Sequence, residues 1–472
     1  DRRGGRTVLD GRDVELIEPC ELWAAEPETS PPSGPDAEAR LARLRGCGVL
    51  RVVDAPRPPD PVVEPPDTGE PPTGTEEVSG RTLGRRLRSA LGVLRGGVRR
   101  AGSAPTASDD GRIPVYSVWH EDMGPALSLG MVLAAARAHD GGRLLERFDL
   151  RPMETTTSFL QDLRTRSGPA ILLCSNYLWS LDNNLAASRA GLGVNPDLLV
   201  VHGGPDTPKY EADAEAFLDA NAPVARVLVR GEGERTLCEL LDALADPDAP
   251  DLDDRLADVA GITFRRSDGT VQRTEDRERA ADLGAFPSPY LSGEFDHLDA
   301  DAWPERLAAV ETNRGCPYGC TFCDWGAATM SRVRRFEVDR VMAEFRWLQE
   351  RGLQHVILCD ANFGILPQDE EIAARLVDMH EECGFPVGLS ILVAKNSTSR
   401  VLRVLETLLD GGVPVSTAIS LQSTDPATVD AVHRGNISIE VYVQLAAALR
   451  RRGHGLQGDL ILGLPGQTVD SF

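Results

Sequence analysis

The sequence predicts an α/β protein in which a doubly wound parallel sheet is followed by a partial β/α barrel, and three observations predict it. From Ile113 onward, short apolar runs alternate with helix-like segments. Each run ends in polar or glycine-rich residues, as strands do when their exits form a ligand-binding edge. A second series of the same kind starts near Pro304, and three cysteines, Cys316, Cys320 and Cys323, stand just after its first apolar run.

Before Ile113 the chain reads differently. Residues 1–110 combine a patterned piece, Arg6 to Trp23, with stretches dense in Pro, Gly and acidic residues, such as APRPPDPVVEPPDTGEPPTGTEE. These hold too little apolar area to offset their ordering entropy, so an N-terminal extension largely without a core is expected. Within it, Arg81 to Arg100 reads as a basic amphipathic helix with a solvated face.

The first α/β series, residues 111–285, contains the runs IPVYSVW, PAILLCSNYLW, PDLLVVHGG and VARVLVRGEGE, with a helix expected over Pro125 to Asp140. Its loops carry candidate binding residues. Trp119 and His120 close the first run, and Ser175, Tyr177 and Trp179 follow the next. Gly203, Gly204 and Pro205 follow the third, and Gly231 and Glu232 the fourth. Positions without a side chain let a large flat ligand approach the backbone. No GxGxxG lies between the first strand and the first helix, which argues against a dinucleotide site.

After a connector, residues 286–303, the second series fills residues 304–472. LAAVETNR, HVILCDANFG, PVGLSILVAK, PVSTAISLQS and QGDLILGLPG read as five strands. The helices between them repeat apolar residues at Val338, Val341, Phe345 and Leu348, then at Ile372, Leu376 and Met379. Five β/α steps suggest a barrel with its chemistry at the C-terminal strand edge, and a sixth strand would lie beyond Phe472.

Composition bounds the partners. In 472 residues, 73 Asp and Glu stand against 50 Lys and Arg, a net charge of −23, which disfavours a nucleic-acid surface; no DNA partner is expected. No apolar run reaches the roughly 18 to 20 residues of a membrane span, and no signal peptide is evident. Nine cysteines are too sparse for a secreted disulfide scaffold, so a reducing, cytoplasmic setting is expected. The absence of an initial Met and the ending just after an apolar run suggest that both ends are trimmed.

The CxxxCxxC order of Cys316, Cys320 and Cys323 does not match the paired CxxC knuckles of structural zinc. Three thiolates suit a [4Fe–4S] cube with one iron left open to a substrate or cosubstrate. Gly315, Pro317 and Gly319 suit a tight wrap, and Tyr318 and Phe322 can shield the cluster from water.

With the run continuing into Cys323-Asp324-Trp325-Gly326, residues 111–472 resemble the radical S-adenosylmethionine (SAM) superfamily, and more closely its cobalamin-dependent, methyltransferase-like branch. The resemblance implies a Rossmann-like cobalamin-binding domain over residues 111–285 and a partial (β/α)6 radical SAM core over residues 304–472. It implies that the open iron binds the amino and carboxylate groups of SAM, with Phe322, Asp360, Asn362, Ser390, Lys395, Ser420, Gln422 and Leu464 as SAM contacts. The strand-exit residues named above become cobalamin contacts. The DxHxxG motif that supplies a lower cobalt ligand is absent, and the lower face then meets Trp119, His120 or Tyr177.

The implied reaction uses two SAM molecules: one methylates cobalt to give methylcobalamin, and the other is cleaved to a 5′-deoxyadenosyl radical that removes hydrogen from an unactivated carbon. That carbon then takes the methyl group. A small-molecule or peptide natural product is the implied substrate, and a donor such as flavodoxin or ferredoxin the implied reductant. Three other readings share these residues: polar methylation of an aromatic carbon, a radical rearrangement or ring contraction, and a cobalamin-binding sensor with a structural cluster. A methylthiotransferase acting on RNA would carry a second cysteine set upstream, whereas the upstream thiols are scattered from Cys20 to Cys238.

Overall fold

The computed structural model describes residues 6–9, 12–16, 50–53, 111–120, 125–245, 251–299, 303, 307–323, 331–395, 398–452, 454 and 457–472. The basic segment Arg81 to Arg100, the proline-rich stretches and Asp324 to Gly326 lie outside the described residues. The chain forms two compact units, one of Asp1–Leu16 with Arg51–Ser108, the other of Ile17–Leu50 with Asp109–Phe472. In the first part of the chain β1 (Arg6–Leu9) pairs antiparallel with β2 (Arg12–Leu16), and β3 (Leu50–Val53) adds a third strand beside β2.

The larger unit is built on two sheets. In the first, β4 (Ile113–Trp119), β5 (Phe148–Leu150), β7 (Ala170–Ser175), β8 (Leu198–Gly203) and β9 (Val227–Val229) are parallel in the spatial order β5-β4-β7-β8-β9. A two-residue strand, β6 (Glu154–Thr155), pairs with the end of β4. The order reverses between β4 and β7, the switch point at which such sheets open a crevice beyond their strand exits. An antiparallel hairpin, β10 (Ile262–Arg265) and β11 (Val271–Arg273), extends the sheet past β9.

Every residue of β7 is buried, because helices cover both faces. On one side α2 (Thr156–Leu163) and α3 (Leu181–Val194) enclose Tyr116, Phe159, Leu163 and Leu172. On the other, α1 (Leu127–Ala138) and α5 (Gly233–Ala245) pack through Leu129, Leu133, Leu237 and Leu241. The helix α4 (Glu211–Ala220) follows β8, and α6 (Leu252–Ala257) precedes the hairpin. Three of the expected strands coincide with β4, β7 and β8. The fourth shortens to β9, and β5 and the hairpin are additions that short, mixed sequences did not signal.

The second sheet is parallel in the order β12 (Leu307–Val310), β15 (His355–Leu358), β16 (Gly388–Leu392) and β17 (Val415–Ala418). The helices α7 (Val338–Glu350), α8 (Gln368–Cys383) and α9 (Thr398–Asp410) alternate with these strands, and Phe345, Leu376 and Leu405 belong to the buried core. The expected fifth strand is a correction: Gln457–Gly466 makes only single bridges, Gln457 to Ala418 and Leu460 to Gln422. Between β12 and α7 a small pair, β13 (Asn313–Arg314) and β14 (Arg334–Arg335), frames the cysteine loop. After β17 come α10 (Pro426–Ala431) and α11 (Ile439–Arg451).

One apolar core runs through both sheets, and the connector is part of it. Tyr290 and Phe295 are buried, and the Tyr290 hydroxyl donates to the Ala309 carbonyl of β12 at 2.6 Å. A Cβ on Gly130 of α1 would fall 2.3 Å from the Phe295 ring, so this helix lies directly on the connector. The ion pair Arg137 to Glu294, 2.6 Å, closes the same contact.

Candidate cofactor and active site

The exits of the two parallel sheets converge. At the switch point of the first sheet, Ser175 Oγ and Ser128 Oγ are 2.7 Å apart. The Tyr177 hydroxyl is held above its usual range by burial first and then by Cys359 and Glu311, with Ser128 and Ser175 acting the other way. Glu311 and Cys359 follow β12 and β15 of the second sheet directly, so this tyrosine stands where the two edges meet. Tyr177 also stacks on Trp179, with centroids 5.0 Å apart at 15°, and Leu178 and Trp179 are 85% and 59% exposed. A shelf of aromatic and aliphatic side chains at a sheet exit suits one face of a large flat ligand.

Beneath the shelf lies a saturated polar network. Asn184 of α3 donates to the Ser175 carbonyl and to Asn176 Oδ1, both at 2.9 Å, and its own Oδ1 meets His120 Nε2 at 2.9 Å. Asn176 donates to Thr207 Oγ1 at 3.0 Å. Behind it, His202 is fully buried, and burial lowers its pKa to about 4, so the ring stays neutral. Gly204 has a backbone reason to be glycine. Its φ is +93°, and an added Cβ would lie 2.6 Å from the Asn176 carbonyl oxygen, so a crossing of two backbone loops requires glycine there. Gly203 meets nothing closer than Val229, at 3.6 Å. Glu232, expected at a cobalamin, pairs with Arg334 of β14.

The cysteine loop is fixed from behind. Asp360, 1% exposed, accepts from the backbone N–H groups of Thr312 and Asn313 at 2.8 and 3.1 Å and from the Thr312 hydroxyl. Burial raises its pKa to about 7 against these hydrogen bonds. Both carboxylate oxygens thus accept from the start of the loop, and Asp360 shapes its entry. Gly315, φ +113°, is needed because a Cβ would lie 2.5 Å from the Arg332 carbonyl oxygen. The Ser331 N–H donates to the Cys316 carbonyl at 2.8 Å. Burial opposes the charge on Arg314, yet Glu311 and Glu234 hold its pKa above the usual range; the Glu234 contact, 2.7 Å, comes from α5 of the first sheet. With Glu232 and Arg334, two ion pairs thus join the N-terminal end of α5 to the strands framing the cysteines.

Cys316, Cys320 and Cys323 are all half-buried, and none of them is in a disulfide. Asn362 Nδ2 donates to Cys316 Sγ at 3.3 Å, and its buried Oδ1 has no hydrogen-bond partner. Lys395 is influenced by all three thiols; burial first and then Arg434 lower its pKa. Arg434 reaches 3.9 Å from Cys320 Sγ and lies over the Phe322 ring, 5.8 Å from its centroid. Among the described residues no three His, Cys, Asp or Glu side chains gather to hold a single metal ion.

Other expected contacts divide. Gln422 adopts φ +65° and keeps a buried Oε1 without a partner. Ser420 donates to Asp459, and the Gly463 and Leu464 N–H groups donate to Gln467. Ser390 lies in mid-strand and lines a cavity of about 400 Å³ with His355, Gly388 and Val415, the strand-start residues opposite the cysteine loop.

The Radical SAM superfamily matches residues 310–472, the segment that carries the three cysteines. These residues are a radical SAM domain. Such a domain is built around a [4Fe–4S] cluster and SAM. Over 353 residues, 74% of this chain and 50% of the relative, the chain is 36% identical to 2-(S-pantetheinyl)-carbapenam-3-carboxylate methyltransferase of Streptantibioticus cattleyicolor. Over 307 residues, 64% of this chain and 44% of the relative, it is 37% identical to the cobalamin-dependent radical SAM methyltransferase TokK of Streptomyces tokunonensis. The chain spans about half the length of these curated relatives.

Two solved structures share the fold. The radical SAM methyltransferase TsrM from Kitasatospora setae, with cobalamin and a [4Fe–4S] cluster bound, matches at TM-score 0.53 and 16% identity, over 76% of this chain and 68% of TsrM. The cobalamin-dependent enzyme OxsB, with aqua-cobalamin and SAM bound, matches at TM-score 0.53 and 17% identity, over 74% and 49%.

Sequence reasoning missed Arg434, Arg314, Arg334 and Asn184. Arg314 ended the expected strand LAAVETNR, yet only its partner on α5 gives it a role. Arg434 sits in the turn His433-Arg434-Gly435-Asn436 after α10, where no spacing ties it to the cysteines. No helix of the described residues is long and apolar enough to cross a membrane.

Proposed function

We propose that this chain is a cobalamin-dependent radical SAM methyltransferase acting on an unactivated carbon of a small natural product. The observation that carries the reading is the meeting of two sheet exits, an apolar aromatic shelf on one and three half-buried cysteines on the other. When bound, the cluster with SAM supplies hydrogen abstraction from carbon, and cobalamin supplies the methyl group.

The chain's own residues supply position and electrostatics. Cys316, Cys320 and Cys323 would hold three irons, with Lys395 and Arg434 balancing their negative charge. The unpartnered Asn362 Oδ1 and Gln422 Oε1 suit the ammonium or hydroxyl donors of SAM, and the Arg434 guanidinium suits its carboxylate. Cobalamin would lie on Tyr177, Leu178 and Trp179, with Trp119 and His120 at the same edge. His120 Nε2 is engaged by Asn184. The pairs Arg314–Glu234 and Arg334–Glu232 hold the two edges at one spacing, which is the positional work such a reaction needs.

The similarity to a carbapenam methyltransferase makes a carbapenam thioether the first substrate to try. Anaerobic incubation of the cluster-loaded protein with SAM, cobalamin, a low-potential reductant and this substrate should give a product heavier by one methylene and 5′-deoxyadenosine in step with it. Methylated product without 5′-deoxyadenosine would instead assign polar transfer.

A further inference from the structure

We infer that a basic cleft at the exit of β9, beside the cobalamin shelf, is a subsite for a phosphate group of an extended ligand. The cleft is a cavity of about 390 Å³ between the loop after β8, the β9–α5 turn and the segment following β11. Its lining carries six cations, Lys209, Arg230, Arg235, Arg273, Arg277 and Arg279, against the carboxylates of Glu232, Asp276 and Glu278. Such an excess is unusual in a chain of net charge −23.

Most of these charges build the walls. Arg230 is spent on the carbonyl of Thr274 at 2.7 Å, Thr263 Oγ1 at 2.8 Å and Asp276 at 2.9 Å. Arg273 holds Asp276 and the Lys209 carbonyl, and Arg277 holds Glu239, Thr236 and the Ala260 carbonyl. Glu232 is taken by Arg334 from outside the cleft. Lys209 lies over the Tyr210 ring, and of the arginines Arg235 and Arg279 remain, neither donating a hydrogen bond to another described residue. Burial lowers the pKa of Arg279, and only the nearby Glu232 acts to raise it.

Two exposed guanidinium forks facing one cavity make a bidentate anion site, and phosphate geometry matches it. The cavity also opens at the start of the 13-residue helix α5, whose first N–H groups add partial positive charge. Tyr210, 62% exposed with the Lys209 ammonium 5.1 Å from its ring centre, and Phe286 give an apolar wall suited to a ring carried next to the phosphate.

Two ligands could bring this chemistry. The cleft lies on the same sheet edge as the Tyr177 shelf, two strand spacings or about 10 Å along it, so the nucleotide phosphate of cobalamin could reach it. The other source is a phosphate on the substrate, such as a phosphorylated pantetheine arm. The first source rests on the cobalamin reading above; the anion site itself does not.

The test compares the wild-type protein with an Arg235→Ala, Arg279→Ala double variant by calorimetric titration, with circular dichroism to confirm the fold. Inorganic pyrophosphate should bind the variant at least about tenfold more weakly, given what charge-assisted hydrogen bonds contribute. Cobalamin weakened in the variant while cobinamide, which lacks the nucleotide and its phosphate, binds unchanged would assign the cofactor as source. Loss of affinity for phosphopantetheine with cobalamin unchanged would assign the substrate. If wild type binds neither corrinoid, the cobalamin reading fails while pyrophosphate still decides the cleft. Equal affinity of both proteins for pyrophosphate, cobalamin and phosphopantetheine would overturn the inference.

Discussion

The two sheet exits that face each other are prepared differently. Around Asn176 and Asn184 the first edge is a closed network in which each side chain already has its partners, leaving an apolar shelf above it. The cysteine loop is rigid behind, through Asp360 and Gly315, but its front holds half-buried thiols and unpartnered acceptors on Asn362 and Gln422. One edge is finished before its ligand arrives; the other is completed by it. Loss of the ligand should therefore disturb the cluster side far more than the shelf.

The largest effect tests that asymmetry directly. The Cys320→Ala protein should lose the cluster's visible absorption and all cleavage of SAM while still binding cobalamin within about twofold of wild type. Iron and sulfide analysis with a corrinoid titration measures both. An intact cluster with wild-type cleavage would remove the cysteine assignment, and parallel loss of cobalamin binding would show that the two edges are not independently prepared.

The next effect falls on the finished edge. Because a side chain at Gly204 meets the Asn176 backbone in a positive-φ conformation, Gly204→Leu should destabilise the protein by about 4 kcal/mol. Gly203→Ala, whose Cβ has room, should cost less than about 1 kcal/mol. Urea unfolding monitored by circular dichroism separates them. A stable Gly204→Leu protein that merely binds cobalamin less well would restore the simpler idea that the glycine serves the ligand.

These cases indicate what the sequence could show. Alternation of apolar runs and helices revealed β4, β7 and β8 because buried parallel strands are long and apolar, and the cysteine spacing carried its chemistry without any fold. β5 and β9, three residues each, are held by neighbours rather than by their own pattern. The run QGDLILGLPG is apolar enough for a strand, yet forms only isolated bridges, since propensity does not supply a partner. At the site, residue type marked Gly204, Asp360 and Glu232 as special but not why. Each is committed to another part of the protein, through contacts between segments far apart in the chain.

The joint between the edges gives the third effect. Glu234 is 3% exposed and pairs with Arg314, which stands two residues before Cys316. Glu234→Gln removes the cross-sheet charge and leaves Arg314 to Glu311 alone, with an expected loss of about 3 kcal/mol. If the pair also sets the spacing of the edges, 5′-deoxyadenosine formation should become uncoupled from methylated product. Measuring their ratio in the variant would separate alignment from simple stability, because a purely structural loss leaves the ratio unchanged.

The smallest effect sets the two edges against each other in pH. His202 has a pKa depressed to about 4 by burial, below its unfolded value near 6.5, so its neutral form supports the fold fully above pH 6.5. As pH falls from 6.5 to 5 the unfolded chain takes up a proton that the folded chain refuses, and about 2 kcal/mol is lost. Asp360 slopes the other way. Its folded pKa is raised to about 7, so between about pH 4 and 7 the folded chain holds the extra proton and this group's contribution falls as pH rises. A His202→Gln protein should therefore lose the acid-side decline and keep the opposite slope. Unfolding free energies of both proteins from pH 5 to 7 decide the point: an unchanged acid-side slope in the variant would mean that His202 is not the group protonated as the first sheet opens.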